Sequence, residues 1–215
     1  MKNSKVVLFI SLVSMMLGYS GFQANAQSAF PIPRISPIPS EVNQQKVDPV
    51  SLDGVWKFNP VFEAGHIDLK NASDWSNINV PGEWSMQGFN VDSAQAAAFF
   101  HTFSLPDKWD GERIKLRFNA VYSESVVYVN GTEAGSHNGG FTAFELDVTE
   151  LVKFGKENTL ILSVKNESLE NSLSSGSRYA CHPLGGISRS VSIFPLPEIN
   201  ISSLAIQTSF DKRFK

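Results

Sequence analysis

Residues 118–150 read FNAVYSESVVYVNGTEAGSHNGGFTAFELDVTE, and they constrain the fold more tightly than any other part of the chain. The run through Val126 and Tyr128 has the β-branched and aromatic composition of a strand. Asn130-Gly131 follows, a pair that tolerates positive φ at both centres of a tight hairpin turn. Gly135 and Gly139-Gly140 punctuate the return, and Phe141, Phe144 and Leu146 resume an apolar pattern. Together these residues predict a β-hairpin within an all-β domain.

The same period recurs along the chain. Val55 to Phe58 follows an Asp53-Gly54 turn, and Trp75, Ile78 and Val80 alternate up to Pro81-Gly82. Ala98 to Leu105 forms a third piece, before a loop holding Pro106, Asp107 and Asp110-Gly111. Ile114, Leu116 and Phe118 interleave with Lys115, Arg117 and Asn119, the pattern of a half-buried strand. Leu160, Leu162 and Val164 alternate again, as do Val191 and Ile193. At most one turn of helix fits between Leu146 and Phe154. Many short strands with Gly and Pro turns predict a sandwich or barrel. Phe118 and Phe144 fall at inward positions and are expected in its core.

The start of the chain has the pattern of a cleaved leader. Lys2 and Lys5 precede an apolar run from Val6 to Leu17, and Ala24-Asn25-Ala26 offers a cleavage site before Gln27. Residues 1–26 are therefore expected to be a signal peptide and the protein to be secreted or periplasmic, with no membrane association after cleavage. Pro31, Pro33, Pro37 and Pro39 mark residues 27–50 as an extended entry segment without a core of its own. Cys181 is the single cysteine, so no internal disulfide supports the fold. The formal net charge is −3 and no basic stripe appears, which argues against nucleic acid as a partner. No Cys/His spacing suggests a metal, and no cofactor is expected.

Taken in order, several short strings resemble the N-terminal sugar-binding domain of glycoside hydrolase family 2, the β-galactosidase and β-glucuronidase group. They are Leu52-Asp53-Gly54-Val55-Trp56, Val80-Pro81-Gly82-Glu83-Trp84 with Gly88, and Phe103-Ser104-Leu105-Pro106. Trp109 with Gly111, Asn130-Gly131, His137, Gly139-Gly140-Phe141-Thr142, Phe144-Glu145 and Asp147-Val148-Thr149 continue the series. Asn158-Thr159-Leu160 and Gly185-Gly186-Ile187-Ser188-Arg189 complete it. Two departures bear on the subfamily: Phe100-His101-Thr102 stands where the family often has Tyr-Arg-Arg, and Thr142-Ala143-Phe144 where it often has Thr-Pro-Phe. The resemblance implies a jelly-roll (galactose-binding-like) antiparallel β-sandwich over residues 51–195. It makes residues 196–215 a linker and the first strand of an immunoglobulin-like second domain. In the family a TIM barrel follows and carries two catalytic glutamates, whose carboxyl groups stand about 5 Å apart for retaining hydrolysis. A barrel of that kind does not fit in 215 residues, so no catalytic residue is assigned. Asn166-Glu167-Ser168 imitates the family's Asn-Glu acid/base pair but follows a sandwich strand, where a solvated strand end is expected.

The resemblance implies carbohydrate as ligand and the immunoglobulin-like and barrel domains as partners. Arg178 and Tyr179, in the segment before the Gly185-Gly186 pair, are candidates for sugar hydroxyls, with interdomain packing as the alternative. Asn90 and Asp92, after Gly88, are the other polar candidates. Trp84, Trp109 and Tyr122 could stack on a sugar, although tryptophans of this kind are more often core. His137 is expected to satisfy backbone groups of the hairpin. Three functions remain open on the sequence: the sugar-binding domain of an exported β-glycosidase in glycan breakdown, a stand-alone carbohydrate-binding module or lectin, and a ligand-free structural sandwich.

Overall fold

The computed structural model describes residues 35–93, 95–166 and 184–201. Arg178, Tyr179, Glu167, the leader and the strand expected after Ile201 lie outside the described residues. Within them the strands are β1 (Glu41–Val42), β2 (Gln45–Lys46), β3 (Val50–Ser51), β4 (Gly54–Asn59), β5 (Ser76–Val80), β6 (Ala97–Phe103) and β7 (Arg113–Phe118). They continue with β8 (Val121–Tyr122), β9 (Glu124–Val129), β10 (Thr132–Asn138), β11 (Phe144–Asp147), β12 (Asn158–Lys165), β13 (Gly186–Ile187) and β14 (Val191–Leu196). Helical structure among the described residues is limited to short 3₁₀ turns at Ala64–Asp68, Ser85–Gln87 and Asp107–Trp109.

Two antiparallel sheets make the sandwich. One has six strands in the order β10-β9-β12-β6-β4-β5, and the other has four in the order β11-β7-β14-β3. The Asn130-Gly131 hairpin joins β9 to β10 as expected, with φ of +53° and +87° at its two residues. The ladder shifts register between Glu133 and Gly135, where Gly135 takes φ +149°. That bulge bends the edge strand and spoils it as a template for further pairing.

Strand β7 shows the expected half-buried pattern, with Ile114, Leu116 and Phe118 fully buried between the sheets. Phe118 stacks on Phe144 at 5.0 Å between ring centroids and 17° between planes. Phe58, Phe99 and Trp84 fill the core opposite, with Phe58 and Phe99 edge to face at 5.0 Å. The outward side chains of β7 form ion pairs. Arg113 and Lys115 meet Asp147 at 2.6 and 3.3 Å. Burial alone would raise the Asp147 pKa, but hydrogen bonds from Thr149 and Arg113 and the Lys115 charge outweigh it, and the pKa falls to about 2.

Two features depart from the alternation read in the sequence. In β12 the residues from Asn158 to Leu162 are all buried, not every second one. The reason is the excursion between β4 and β5, which covers the outer face of the six-stranded sheet. There Phe62, Leu69, Ala72 and Trp75 pack on Phe100, Tyr128 and Ile161. The Pro-rich entry segment is also more than an extended lead. Val42 and Val47 are 6% exposed and belong to the main core. Ser36 is buried against the outer face of the four-stranded sheet, where its N–H donates to Glu145 Oε2 at 2.9 Å and its carbonyl accepts from Arg117 Nη2 at 2.8 Å. Proline restricts φ without forbidding such a docked path.

Candidate functional site

A seam closes one side of the sandwich. Three short runs lie next to one another: Val121–Tyr122 pairs with Gly186–Ile187, and Gly82 and Trp84 donate their N–H groups to the carbonyls of Ile187 (2.8 Å) and Gly185 (3.0 Å). Glycine is required here by close approach. A Cβ on Gly185 would run into the Trp84 indole, and a Cβ on Gly140 into the Tyr122 ring. The described chain leaves β12 at Asn166, whose carbonyl accepts from Ser123 Oγ at 3.3 Å, and resumes at Leu184, one residue before the Gly185 that packs on Trp84. Arg178 and Tyr179 belong to the residues between these two points.

Trp84, expected from the sequence as either a stacking ring or a core residue, is core. It is 2% exposed, its ring lies 6.4 Å from Phe99 and 6.1 Å from Phe58, and it offers no open face to a sugar. Trp109 is likewise buried at 3%. Tyr122 is half-buried and meets the edge of Phe141 at 5.4 Å, and Phe141 is 63% exposed. Asn90 and Asp92 are exposed on the loop after the Ser85–Gln87 turn. That loop is held by Phe89, which packs on Phe58 at 4.7 Å, and by the Phe89 N–H, which donates to the Trp84 carbonyl at 3.0 Å. The described residues thus bring Trp84 to the base of the seam and carry Asn90 and Asp92 on the loop that grows from it.

Glu83 is the residue that pattern reading missed. Its Oε2 accepts from Ser85 Oγ and from Met86 N–H, both at 2.7 Å, and so starts the 3₁₀ turn. Its Oε1 is enclosed and has no hydrogen-bond partner among the described residues, leaving an unmet acceptor between Gly82 and Trp84. A carboxylate inside an otherwise apolar and glycine-rich string is the signal that could have found it. Gln87 clips the same loop to β5: its Nε2 donates to the Asn79 carbonyl at 3.0 Å and its Oε1 accepts from the Asn79 N–H at 2.8 Å.

His137 stacks on Phe144 at 4.2 Å and its Nε2 lies 3.0 Å from Thr142 Oγ1, so it ties the Gly139–Thr142 loop to the hairpin mainly through a side chain. Burial lowers its pKa, and a backbone hydrogen bond with Gly139 pulls the other way. His101 stacks on Trp56 at 4.6 Å and is also lowered by burial. No group of three or more His, Cys, Asp or Glu side chains among the described residues could hold a metal ion.

Residues 50–197 match the family described as glycosyl hydrolases family 2, sugar binding domain. The chain belongs to glycosyl hydrolase family 2. A putative β-glucuronidase of Formosa agariphila is 30% identical over 142 residues, covering 64% of this chain and 17% of that protein. A β-galactosidase of Priestia megaterium is 24% identical over 194 residues, covering 77% of this chain and 18% of its own length. Among solved structures, a β-glucuronidase from an uncultured Clostridium superposes with a TM-score of 0.70 at 25% identity, over 85% of this chain and 34% of that one. The chain thus spans about a sixth to a third of the length of these relatives.

Proposed function

We propose that this chain is the N-terminal carbohydrate-binding domain of an exported β-glycosidase, which hydrolyses O-glycosyl bonds in glycan breakdown only when joined to a catalytic barrel. The observation that carries this reading is the sugar-binding-domain match over residues 50–197, in a chain that corresponds to only 17% and 18% of the β-glucuronidase and β-galactosidase it resembles. Retaining hydrolysis needs two carboxylates on one rigid site about 5 Å apart. Asn166, the first residue of the Asn-Glu imitation, is buried at the end of a sandwich strand, which supports a structural role for that motif. The domain organisation that goes with this reading is a leader over 1–26, the sandwich over 51–195 and the beginning of a second domain from 196.

In the assembled enzyme, Arg178 and Tyr179 contact sugar hydroxyls from the segment that enters the seam at Leu184. Asn90 and Asp92 line the same region from the loop above Trp84, which the Phe89 N–H ties to the Trp84 carbonyl. Relatives named β-glucuronidase and β-galactosidase support a hexose-type sugar.

The test has two arms. The purified chain should not cleave aryl β-glucuronides or β-galactosides. Turnover that survives repurification and drops in Glu167→Gln would overturn the assignment. In the full-length enzyme, Arg178→Ala and Tyr179→Ala should each lower kcat/KM by about 1–3 kcal/mol while leaving the melting temperature unchanged, the scale of one or two lost hydrogen bonds. Unchanged kcat/KM in both would assign that segment to interdomain packing. Binding of immobilised glycans by the isolated chain, with no continuation of the reading frame, would favour the stand-alone lectin.

A further inference from the structure

Beside the seam lies an open depression of about 490 Å³, lined by Pro81, Asn119, Ala143, Ser188, Arg189 and Ser190. Its backbone is fixed on both sides. The Asn119 N–H donates to the Ser190 carbonyl at 3.1 Å, and the N–H groups of Ser188 and Arg189 donate to the Ala120 carbonyl at 3.1 and 3.4 Å. The end of β7 and the start of β14 therefore hold these residues as rigid strands would. Their side chains are not used in the same way. Among the described residues, no ion pair or hydrogen bond engages the Arg189 guanidinium, the Asn119 carboxamide or the hydroxyls of Ser188 and Ser190. Arg113 and Arg117, by contrast, both have carboxylate partners.

We propose that this depression binds an acidic sugar, with the Arg189 guanidinium on the sugar carboxylate and Asn119, Ser188 and Ser190 on its hydroxyls. The guanidinium is a planar fork that matches a carboxylate through two parallel N–H···O bonds, which an ammonium does not do. Carboxamide and hydroxyl groups both donate and accept, as sugar hydroxyls do. The volume lies in the range of small-ligand sites, roughly 300–1,000 Å³. The proposal rests on the carbohydrate-binding reading but uses residues separate from Asn90, Asp92, Arg178 and Tyr179, so the two can fail independently.

The experiment is amide NMR of the ¹⁵N-labelled full chain titrated with glucuronate, glucose and acetate in turn. Glucuronate should give saturable shifts at Asn119, Ser188, Arg189 and Ser190. Glucose and acetate should each bind at least about tenfold more weakly, the effect of losing roughly 1.4 kcal/mol of contact. Arg189→Ala should abolish the glucuronate shifts, and Arg189→Lys should recover only part of them, with the melting temperature of both variants held as the folding control. Absence of saturation overturns the proposal, as does equal binding of acetate, which would make the site a simple anion patch. Sugar-dependent shifts confined to the Gly88–Asp92 loop would overturn it while leaving the proposed function standing.

Discussion

Glu145→Ala should destabilise the domain by about 3 kcal/mol. Glu145 faces Arg117 directly across the β11–β7 ladder. Its side chain is 2% exposed and that of Arg117 13%, with Oε1 and Nη2 2.7 Å apart. No N–H lies along that approach, and both Glu145 Oε1 and Arg117 Nε lack an aligned hydrogen bond, so the contact is chiefly coulombic. The other oxygen, Oε2, accepts the Ser36 N–H. Truncation leaves a buried guanidinium without its counter-charge and a buried amide without its acceptor. Breaking a buried pair from one side costs about 3–5 kcal/mol. The lower end applies, because Arg117 keeps the Ser36 carbonyl and lies 5.5 Å from the centre of the Phe194 ring. Urea unfolding followed by tryptophan fluorescence measures the loss, and faster exchange of the Ser36 amide reports release of the entry segment. The double variant Arg117→Met/Glu145→Leu should recover part of the loss, since an apolar pair needs no counter-charge, while the Ser36 N–H and carbonyl still lose their side-chain partners. A loss below about 1 kcal/mol, or a double variant as unstable as the two single losses summed, would refute the reasoning.

Phe118→Ala should cost about 3–5 kcal/mol, because Phe118 is fully buried and stacked on Phe144. Gly131→Val, at φ +87° with a Cβ 2.8 Å from Asp68 Oδ1, should cost less, about 1–2 kcal/mol; the reverse ranking in denaturation would misplace the core. Gly185→Ala should displace Trp84 and shift its fluorescence, and an unchanged spectrum with unchanged stability would contradict the packing of the seam. Acid should weaken the fold in two stages. His101 and His137 bind protons less readily folded than unfolded, so stability holds above their usual value of 6.5 and declines below it. Asp147, at about 2 against its ordinary 3.8, keeps its contribution above pH 3.8 and loses it toward pH 2. Urea midpoints at pH 8, 5 and 3 should fall in that order, and a midpoint that rises on acidification from 8 to 5 would refute the histidine assignment.

Local chemistry made much of this fold legible. The Asn130-Gly131 hairpin, the alternation of β7 and the inward placement of Phe118 and Phe144 follow from neighbours within a few residues. What escaped was non-local. Ile161 looks like an outward residue until the excursion through Phe62, Leu69 and Trp75 returns over it. Val42 and Val47 look like parts of a linker until they meet the core of the sandwich. The seam escaped for the same reason. Gly82 and Trp84 are met by Gly185 and Ile187 from about a hundred positions away, and only that meeting turns Trp84 from a candidate sugar platform into a buried floor. Glu83 stands inside the Val80-Pro81-Gly82-Glu83-Trp84 string, but an enclosed and unmet oxygen is a property of packing and not of spacing. The polar depression at Arg189 is of the same kind, built from residues that flank β5, β7, β11 and β14.

The pairing of β3 with β14 has a consequence for how the protein is made. The N–H of Val191 donates to Asp53 Oδ1 across 138 positions of chain, and Ser51 sits opposite Ser192. Strand β14 also lies between β7 and β3, so the four-stranded sheet has no centre until it arrives. During synthesis, therefore, the first strand of the sandwich emerges long before the partner that holds it, and β7 waits with one edge open. Contacts this distant in sequence make for slow closure, and an open edge invites pairing with a second chain. The yield of folded protein in cells should thus depend on the interval between release of residue 118 and release of residue 196, an interval that pauses in translation lengthen and chaperones cover.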